Sequence, residues 1–195
     1  MQKSDTKRHL VDAVKELLHS GEDFTVKDIS QRAYTNVAAV NYYFGDKNTL
    51  VNIALQELID VYREKIIETL RQDMPSTNEY IESFLTLVSQ MYLDNKGVIR
   101  YIVRTDTGNK PELIESFLFD DELTRLVYEK MELMTGEKRP EVQFCNYMIA
   151  LSSFILPLLF ECQNDDDKSS GFGLIALQSE DMRRVFVTQL MKLFT

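Results

Sequence analysis

Apolar residues recur at spacings of three and four along most of this chain, as in helices that bury one face. The first predicted helix, over about residues 4–19, places five apolar residues on one side: Leu10, Ala13, Val14, Leu17 and Leu18. The 195 residues include only seven Gly and four Pro, so turn formers are scarce and helices should dominate. We find no convincing strand pattern and no internal repeat in the sequence. It therefore predicts an all-α protein.

Capping signals predict where the next helices begin. Thr25 and Asp28 have the spacing of a capping box, in which the two residues satisfy each other's main-chain N–H groups. A short helix should follow them. Asn36 can cap a second short helix over about residues 37–44, and a long helix is expected over about residues 47–72.

The pattern remains helical to the end of the chain. Further helices are expected over about residues 76–93, 97–105, 111–119, 121–135, 140–162 and 179–194, with an exposed loop over residues 164–173. The fold class is therefore an N-terminal three-helix domain followed by a larger helical domain, with about nine helices in all.

One stretch is apolar enough to be weighed as a membrane span. From Val142 to Phe160, 19 residues carry no charge and 14 are apolar, close to the length that a span needs. The stretch also contains polar residues and Pro157, and it lacks aromatic and basic anchors at both ends. A helix buried all round in a bundle or dimer explains it equally well, and we predict no membrane span.

The N-terminus lacks the apolar core of a signal peptide, which indicates a cytoplasmic protein. Cys145 and Cys162 would lie about 25 Å apart along one helix, too far for a disulfide bond. A pair of reduced thiols is the expectation, and a redox switch is the alternative.

Charge is unevenly distributed. Residues 1–50 hold seven basic and seven acidic side chains, so residues 51–195 carry the whole net charge of −9. Such an acidic chain excludes a protein that simply coats nucleic acid. A neutral N-terminal segment can still place a few cations on a DNA backbone, with low non-specific affinity.

Two short helices joined by a three-residue turn, with a third helix bracing them, have the layout of a helix-turn-helix DNA-binding unit. Ile29, Ala33, Val40 and Phe44 can seal the helix crossing. Short side chains let the second helix approach the major groove, and Asn can read adenine. The short side chains are Val37, Ala38 and Ala39, and the polar side chains available for bases and phosphates are Thr35, Asn36, Asn41, Tyr42 and Tyr43. Lys47 can meet a phosphate at the start of the next helix.

The order of these residues resembles the N-terminal domain of the TetR family of transcriptional regulators. The matching runs are Thr25 to Ala33 and Asn36 to Lys47, followed by Leu50, and the ending Tyr43-Phe44-x-x-Lys47-x-x-Leu50 is the most specific part. The resemblance covers about residues 5–60. Tyr34 departs from it, because the family usually has Gly there, and a positive φ would be costly for Tyr.

The resemblance implies a role for each matching residue. Thr25, Tyr42 and Lys47 would contact phosphates. Bases would be read by five residues: Thr35, Asn36, Val37, Ala38 and Asn41.

The resemblance also implies a domain organisation. Residues 1–47 would form the DNA-binding domain and residues 48–195 a domain for effector binding and dimerisation, connected by the helix over about residues 47–72. A homodimer through helices over about residues 140–162 and 179–194 would bind a palindromic double-stranded DNA operator as a repressor. A small-molecule effector, apolar or aromatic, would release it. The candidate pocket residues are Phe84, Met91, Tyr92, Tyr101, Phe117, Tyr128, Phe144 and Tyr147.

Enzyme chemistry finds little support in the sequence. His9 and His19 belong to no cluster with metal-ligand spacing, and there is no Gly-rich phosphate loop. We expect neither a metal nor a cofactor nor a catalytic residue. The alternative functions are a helical adaptor or small-molecule-binding protein that no longer binds DNA, and a DNA-binding activator or nucleoid factor without an effector.

Overall fold

The computed structural model describes residues 3–73, 76–104, 110–163 and 179–193, and this part of the chain contains ten α-helices and no strand. The helices are α1 (Lys3–Ser20), α2 (Val26–Arg32), α3 (Ala38–Phe44), α4 (Lys47–Arg71), α5 (Thr77–Asp94), α6 (Lys96–Arg104), α7 (Lys110–Leu118), α8 (Asp121–Thr135), α9 (Pro140–Gln163) and α10 (Glu180–Met191). The all-α prediction is confirmed. The loop expected at residues 164–173 lies outside the described residues.

The helices form two compact units. The N-terminal unit contains Met1–Tyr62 and Asn95–Phe117, and the C-terminal unit contains Arg63–Asp94 and Leu118–Thr195. In the N-terminal unit, α1 packs against α2 and α6, and α2 packs against α3. Its most deeply buried large side chains are Leu10, Val14, Leu18, Ile29, Val40, Leu50, Val51 and Leu55. Each such side chain contributes about 1.5–3 kcal/mol when it is fully buried, so this core holds the short helices in place.

The first residues of α6 lie against the end of α1 with no room for a side chain. A Cβ atom at Gly97 would lie 2.1 Å from the His19 carbonyl oxygen, and one at Gly21 would lie 2.9 Å from the Gly97 Cα atom. Gly21 also has a φ of +71°, which favours glycine. One turn further along α6, the Tyr101 ring stacks on Phe24 with centroids 5.3 Å apart. The packing of α6 on α1 therefore depends on two glycines.

The predicted capping box at the start of α2 is present. The Thr25 hydroxyl accepts the Asp28 N–H at 3.3 Å, and the Asp28 carboxylate accepts the Thr25 N–H and hydroxyl, both at 2.7 Å. These two bonds from Thr25 are the main cause that lowers the pKa of Asp28 below its usual range. Ile29 and Ala33 face the core as expected.

In the C-terminal unit, α8 packs against α9, and α5 packs against α8 and α10. Asp120 caps α8 by accepting the Leu123 N–H, and Gly136 ends it with a φ of +68°. Ser179 caps α10 by accepting the Met182 N–H at 3.1 Å. The buried Tyr147 hydroxyl donates to the Leu118 carbonyl at 2.6 Å, and burial raises the pKa of this tyrosine to about 12.

The apolar helix α9 carries both Cys145 and Cys162, as the sequence predicts. The Cys145 thiol is free and exposed. Within the described residues, no helix is long and apolar enough to cross a membrane.

The carboxylate of Asp28 should make the stability of the N-terminal unit depend on pH. Its pKa is lowered by folding, so its contribution is present above its unfolded pKa and is lost as pH falls through the folded value. Asp28→Asn should therefore unfold at a lower temperature than the parent chain at pH 7, and the difference should shrink steadily below pH 4. Thermal unfolding followed by circular dichroism between pH 2.5 and 7 measures this.

Glu22→Gln is a matched control, because it removes an exposed carboxylate near α2. A difference between Asp28→Asn and the parent chain that is the same at every pH would contradict the prediction.

Candidate nucleic-acid interface

Helix α3 has one buried face and one exposed face. Ala39 and Val40 are buried in the core of the N-terminal unit. Ala38, Asn41 and Tyr42 lie on the exposed side, and Tyr42 is 68% exposed. The exposed side therefore presents short side chains near its start and polar ones further along.

Asn36 fixes the start of α3. Its Oδ1 atom accepts the Ala39 N–H at 2.9 Å, and its main-chain carbonyl accepts the same N–H at 3.1 Å. Asn36 thus caps the helix as predicted, which leaves its Nδ2 donors as the part that can read a base. Thr35 is half-buried beside it, and Val37 is exposed.

The turn between α2 and α3 is a Schellman motif. The Thr35 N–H donates to the Ser30 carbonyl at 2.9 Å, and the Tyr34 N–H donates to the Gln31 carbonyl at 3.3 Å. Tyr34 takes the left-handed position of this motif, with a φ of +53°. A left-handed backbone costs about 1–2 kcal/mol for a residue with a Cβ atom. The turn has the geometry that glycine favours, and Tyr adopts it at that cost.

Lys47 lies beside the start of α2. Its ammonium donates to the Phe24 carbonyl and lies 4.6 Å from the centre of the Phe24 ring. Phe24 immediately precedes Thr25, so the structure brings two predicted phosphate contacts, Thr25 and Lys47, close together. An ammonium has three N–H donors, and the bond to Phe24 uses one of them.

The two tyrosines of α3 have different surroundings. Their rings meet edge to face with centroids 4.8 Å apart. Tyr43 is half-buried and packs against the core, whereas Tyr42 is exposed. Tyr42 is therefore the better placed of the two to reach a DNA backbone, and Tyr43 supports it.

Two residues of this surface, Tyr34 and Lys7, were not predicted from the sequence as DNA contacts. Tyr34 is 93% exposed in the turn before α3. The exposed Lys7 of α1 has its ammonium 5.8 Å from the centre of the Phe44 ring, near the end of α3. In the sequence, Tyr34 stands where the TetR family usually has Gly, and this departure could have indicated a special role for Tyr34. Lys7 has no such signal in the sequence, because only the folded structure places it beside Phe44.

The eight candidate pocket residues do not lie in one place. Tyr101 is buried in the N-terminal unit against Phe24, and Phe117 is half-buried in the same unit. Phe144 is exposed on α9.

The other candidates lie in the C-terminal unit. Met91 is half-buried, and the Tyr92 side chain lies outside what the structure describes. The Tyr128 ring meets Tyr147 edge to face, with centroids 6.2 Å apart, but it lines an open groove. Phe84 and Tyr147 line an apolar cavity.

The cavity in the C-terminal unit has a volume of about 110 Å³. Its described lining residues are Leu70, Tyr80, Phe84, Val127, Lys130, Met131, Met134, Tyr147, Ala150, Leu151 and Leu190. No polar atom of these residues faces the space. The Lys130 ammonium donates instead to the Tyr80 hydroxyl at 2.6 Å. Val127, Met131 and Met134 were not predicted as pocket residues, although their spacing of four and three on α8 places them on one helix face.

The described residues contain no group of three His, Cys, Asp or Glu side chains that could hold a metal ion. The polar groups of the interface are hydroxyls, amides and the ammonium groups of Lys47 and Lys7. They can bind a phosphate backbone and base edges.

Comparisons with known proteins bear on the fold. No protein-family model matches the chain, and no curated protein matches it. A crystal structure of a TetR-family transcriptional regulator from Mesorhizobium loti is similar, with a TM-score of 0.70 and 11% identity over 99% of this chain and 98% of that one. The TetR-family regulator PfmR from Thermus thermophilus is also similar, with a TM-score of 0.54 and 15% identity over 95% of this chain and 97% of that one. The chain has the fold of TetR-family transcriptional regulators.

Proposed function

We propose that the chain is a ligand-responsive transcriptional repressor that binds a palindromic operator as a homodimer and is released by a small apolar effector. Residues 1–47 serve as its DNA-binding domain, and residues 48–195 serve effector binding and dimerisation. The observation that carries the proposal is the exposed side of α3. The opposite side of this helix is buried through Ala39 and Val40, and Asn36 caps its start. The similar solved structures support the same assignment by fold.

The dimensions of α3 suit the major groove. A helix with its side chains is about 10–12 Å wide, and the groove is about 12 Å wide. The short side chains of Val37 and Ala38 let the start of the helix approach the bases. Asn41 has the amide group that pairs with adenine in two bonds, the Nδ2 group of Asn36 can donate to a base acceptor, and Thr35 adds a hydroxyl.

Thr25, Tyr42 and Lys47 are the proposed contacts to phosphate, with Tyr43 supporting Tyr42. Thr25 stands at the N-terminus of α2 and Lys47 at that of α4, and helix N-termini favour anions. The Asp46 carboxylate accepts a hydrogen bond from the Thr49 N–H at 2.7 Å. This bond lowers the pKa of Asp46 and fixes the start of α4.

Two substitutions should separate base reading from phosphate binding. Asn41→Ala should change the preferred DNA site, because it removes an exposed amide that faces bases. Lys47→Met should weaken binding to every site by about tenfold and lower the salt slope by about one unit, because one phosphate contact is lost. Selection from random DNA, followed by titration at several salt concentrations, measures both effects.

Met keeps an unbranched apolar side chain of similar length at position 47, and circular dichroism checks that the variant remains folded without the bond to the Phe24 carbonyl. Lys27→Met, on the exposed surface of α2, is the control. If Asn41→Ala and Lys47→Met had the same effect on site preference, the two assigned roles would be wrong.

The homodimer rests on exposed apolar side chains of α9 and α10. On α9, Phe144, Met148 and Ile149 are exposed to between about one third and one half. On α10, Met182 and Val185 are exposed to a similar degree. Apolar faces of this kind on two helices suit an interface with the same two helices of a second copy.

In solution the chain should sediment as a dimer, at twice the 22.7 kDa of one chain. Ile149→Glu and Val185→Glu should each give monomers at micromolar concentration, because each would bury an unpaired carboxylate at the interface. Loss of the dimer should weaken operator binding, since two separate monomers then bind the two half-sites independently.

Leu133→Glu is the control, because Leu133 is 75% exposed on α8 and lies outside the proposed interface. A parent chain that remains monomeric at micromolar concentration would disprove the dimer while leaving DNA binding by one copy open to test.

The effector is proposed to occupy the apolar cavity. An enclosed apolar cavity of about 150 Å³ is known to bind benzene, and the apolar cavity of this chain, at about 110 Å³, is of the same order. Leu70 lines the cavity near the end of α4, and Lys47 starts the same helix. We propose that α4 transmits effector binding to the DNA contacts, with a coupling of about 1–3 kcal/mol.

Toluene should serve as a probe of the cavity. At a hundred times its dissociation constant it should raise the melting temperature by about 5–10 °C, and it should release bound operator DNA. Ala150→Leu should abolish both effects, because the added carbons fill the space. Differential scanning calorimetry and fluorescence anisotropy of labelled DNA measure them.

Leu133→Phe is the control, because it adds carbons at an exposed position on α8 outside the proposed interface. Toluene binding without release of DNA would show that the cavity is not a regulatory site.

A further inference from the structure

Tyr34 has a backbone and an environment that folding alone does not account for. It holds a φ of +53°, and its side chain is 93% exposed. The side chain therefore gains almost no burial in return for the strained backbone. Strained residues that persist without such a return are concentrated at functional sites.

The hydrogen bonds of the turn do not require a tyrosine. They run from the Tyr34 N–H to the Gln31 carbonyl and from the Thr35 N–H to the Ser30 carbonyl. Both use main-chain atoms only, so glycine or asparagine would make them equally well and with less strain. Tyrosine differs from these residues in its phenol group, which is exposed here.

The position of Tyr34 restricts what the phenol can reach. Its Cα atom lies within about 8 Å of the Asn36 Cα atom, since two trans peptide units span no more. Asn36 caps the start of α3, where Val37 and Ala38 are exposed. DNA bound by the start of α3 would therefore pass within reach of the Tyr34 side chain.

We propose that Tyr34 is a contact to the DNA backbone, in which its hydroxyl donates a hydrogen bond to a phosphate oxygen beside the bases read by α3. This inference rests on the proposed function as a DNA-binding protein. A phenol is neutral, so the bond adds affinity without displacing a counterion. A hydrogen bond to a charged oxygen is also stronger than one between neutral groups.

Two substitutions at Tyr34 should separate its effect on stability from its effect on DNA binding. Tyr34→Gly should raise the melting temperature by about 2–4 °C, because it removes the left-handed strain, and should weaken operator binding by about tenfold. Tyr34→Phe should weaken binding similarly without raising the melting temperature. Neither variant should change the slope of affinity against salt or the preferred site, whereas Lys47→Met should lower that slope.

The outcomes distinguish this inference from the function on which it rests. If Tyr34→Gly and Tyr34→Phe bind the operator as tightly as the parent chain while Lys47→Met binds more weakly, the contact is wrong and the function stands. If Tyr34→Phe binds normally and Tyr34→Gly changes the preferred site, Tyr34 reads a base and the phosphate contact is wrong. If the parent chain selects no DNA sequence, both proposals fall.

Discussion

In the N-terminal unit the main chain at Gly97 lies so close to the end of α1 that no side chain fits between them. This contact joins two segments of sequence that are some 75 residues apart, and it sets where α6 lies on the helices that carry the candidate interface. The adjoining stack of Phe24 on Tyr101 extends it. Since Lys47 bonds the Phe24 carbonyl, the anchored cation and the packing of α6 share one residue.

The arrangement of α2 and α3 is fixed at each helix end by local hydrogen bonds. Thr25 and Asp28 close the start of α2, and Asn36 closes the start of α3. Because these bonds satisfy main-chain groups that would otherwise need water, the two short helices can form despite having seven residues each. The buried Ile29 and Val40 then hold them at a fixed crossing, so the exposed side of α3 is presented by a rigid support.

Much of the arrangement of α2 and α3 could be predicted from the sequence, because it depends on interactions between residues that are close in the chain. The capping box at Thr25, the cap at Asn36 and the buried Val40 each follow from a residue type at a fixed spacing. Gly97 could not be found in this way, because its neighbour His19 is distant in sequence and an isolated glycine has many explanations. The residues of the cavity were predicted only in part, because residue type does not show which distant segments come together. Phe84 and Tyr147 line the cavity, while Tyr101 is equally aromatic but packs in the other unit.

Helix α9 explains why one apolar stretch can serve two purposes in the proposed mechanism. Tyr147, Ala150 and Leu151 face the cavity, while Phe144 and Met148 are exposed on the helix surface. A close-packed helix moves as a unit, since its neighbours leave little free volume. A molecule that enlarges the cavity would therefore displace the exposed side of α9 as well. If that side forms the dimer interface, effector binding would alter the pairing of the two copies, and with it the spacing of their α3 helices on DNA.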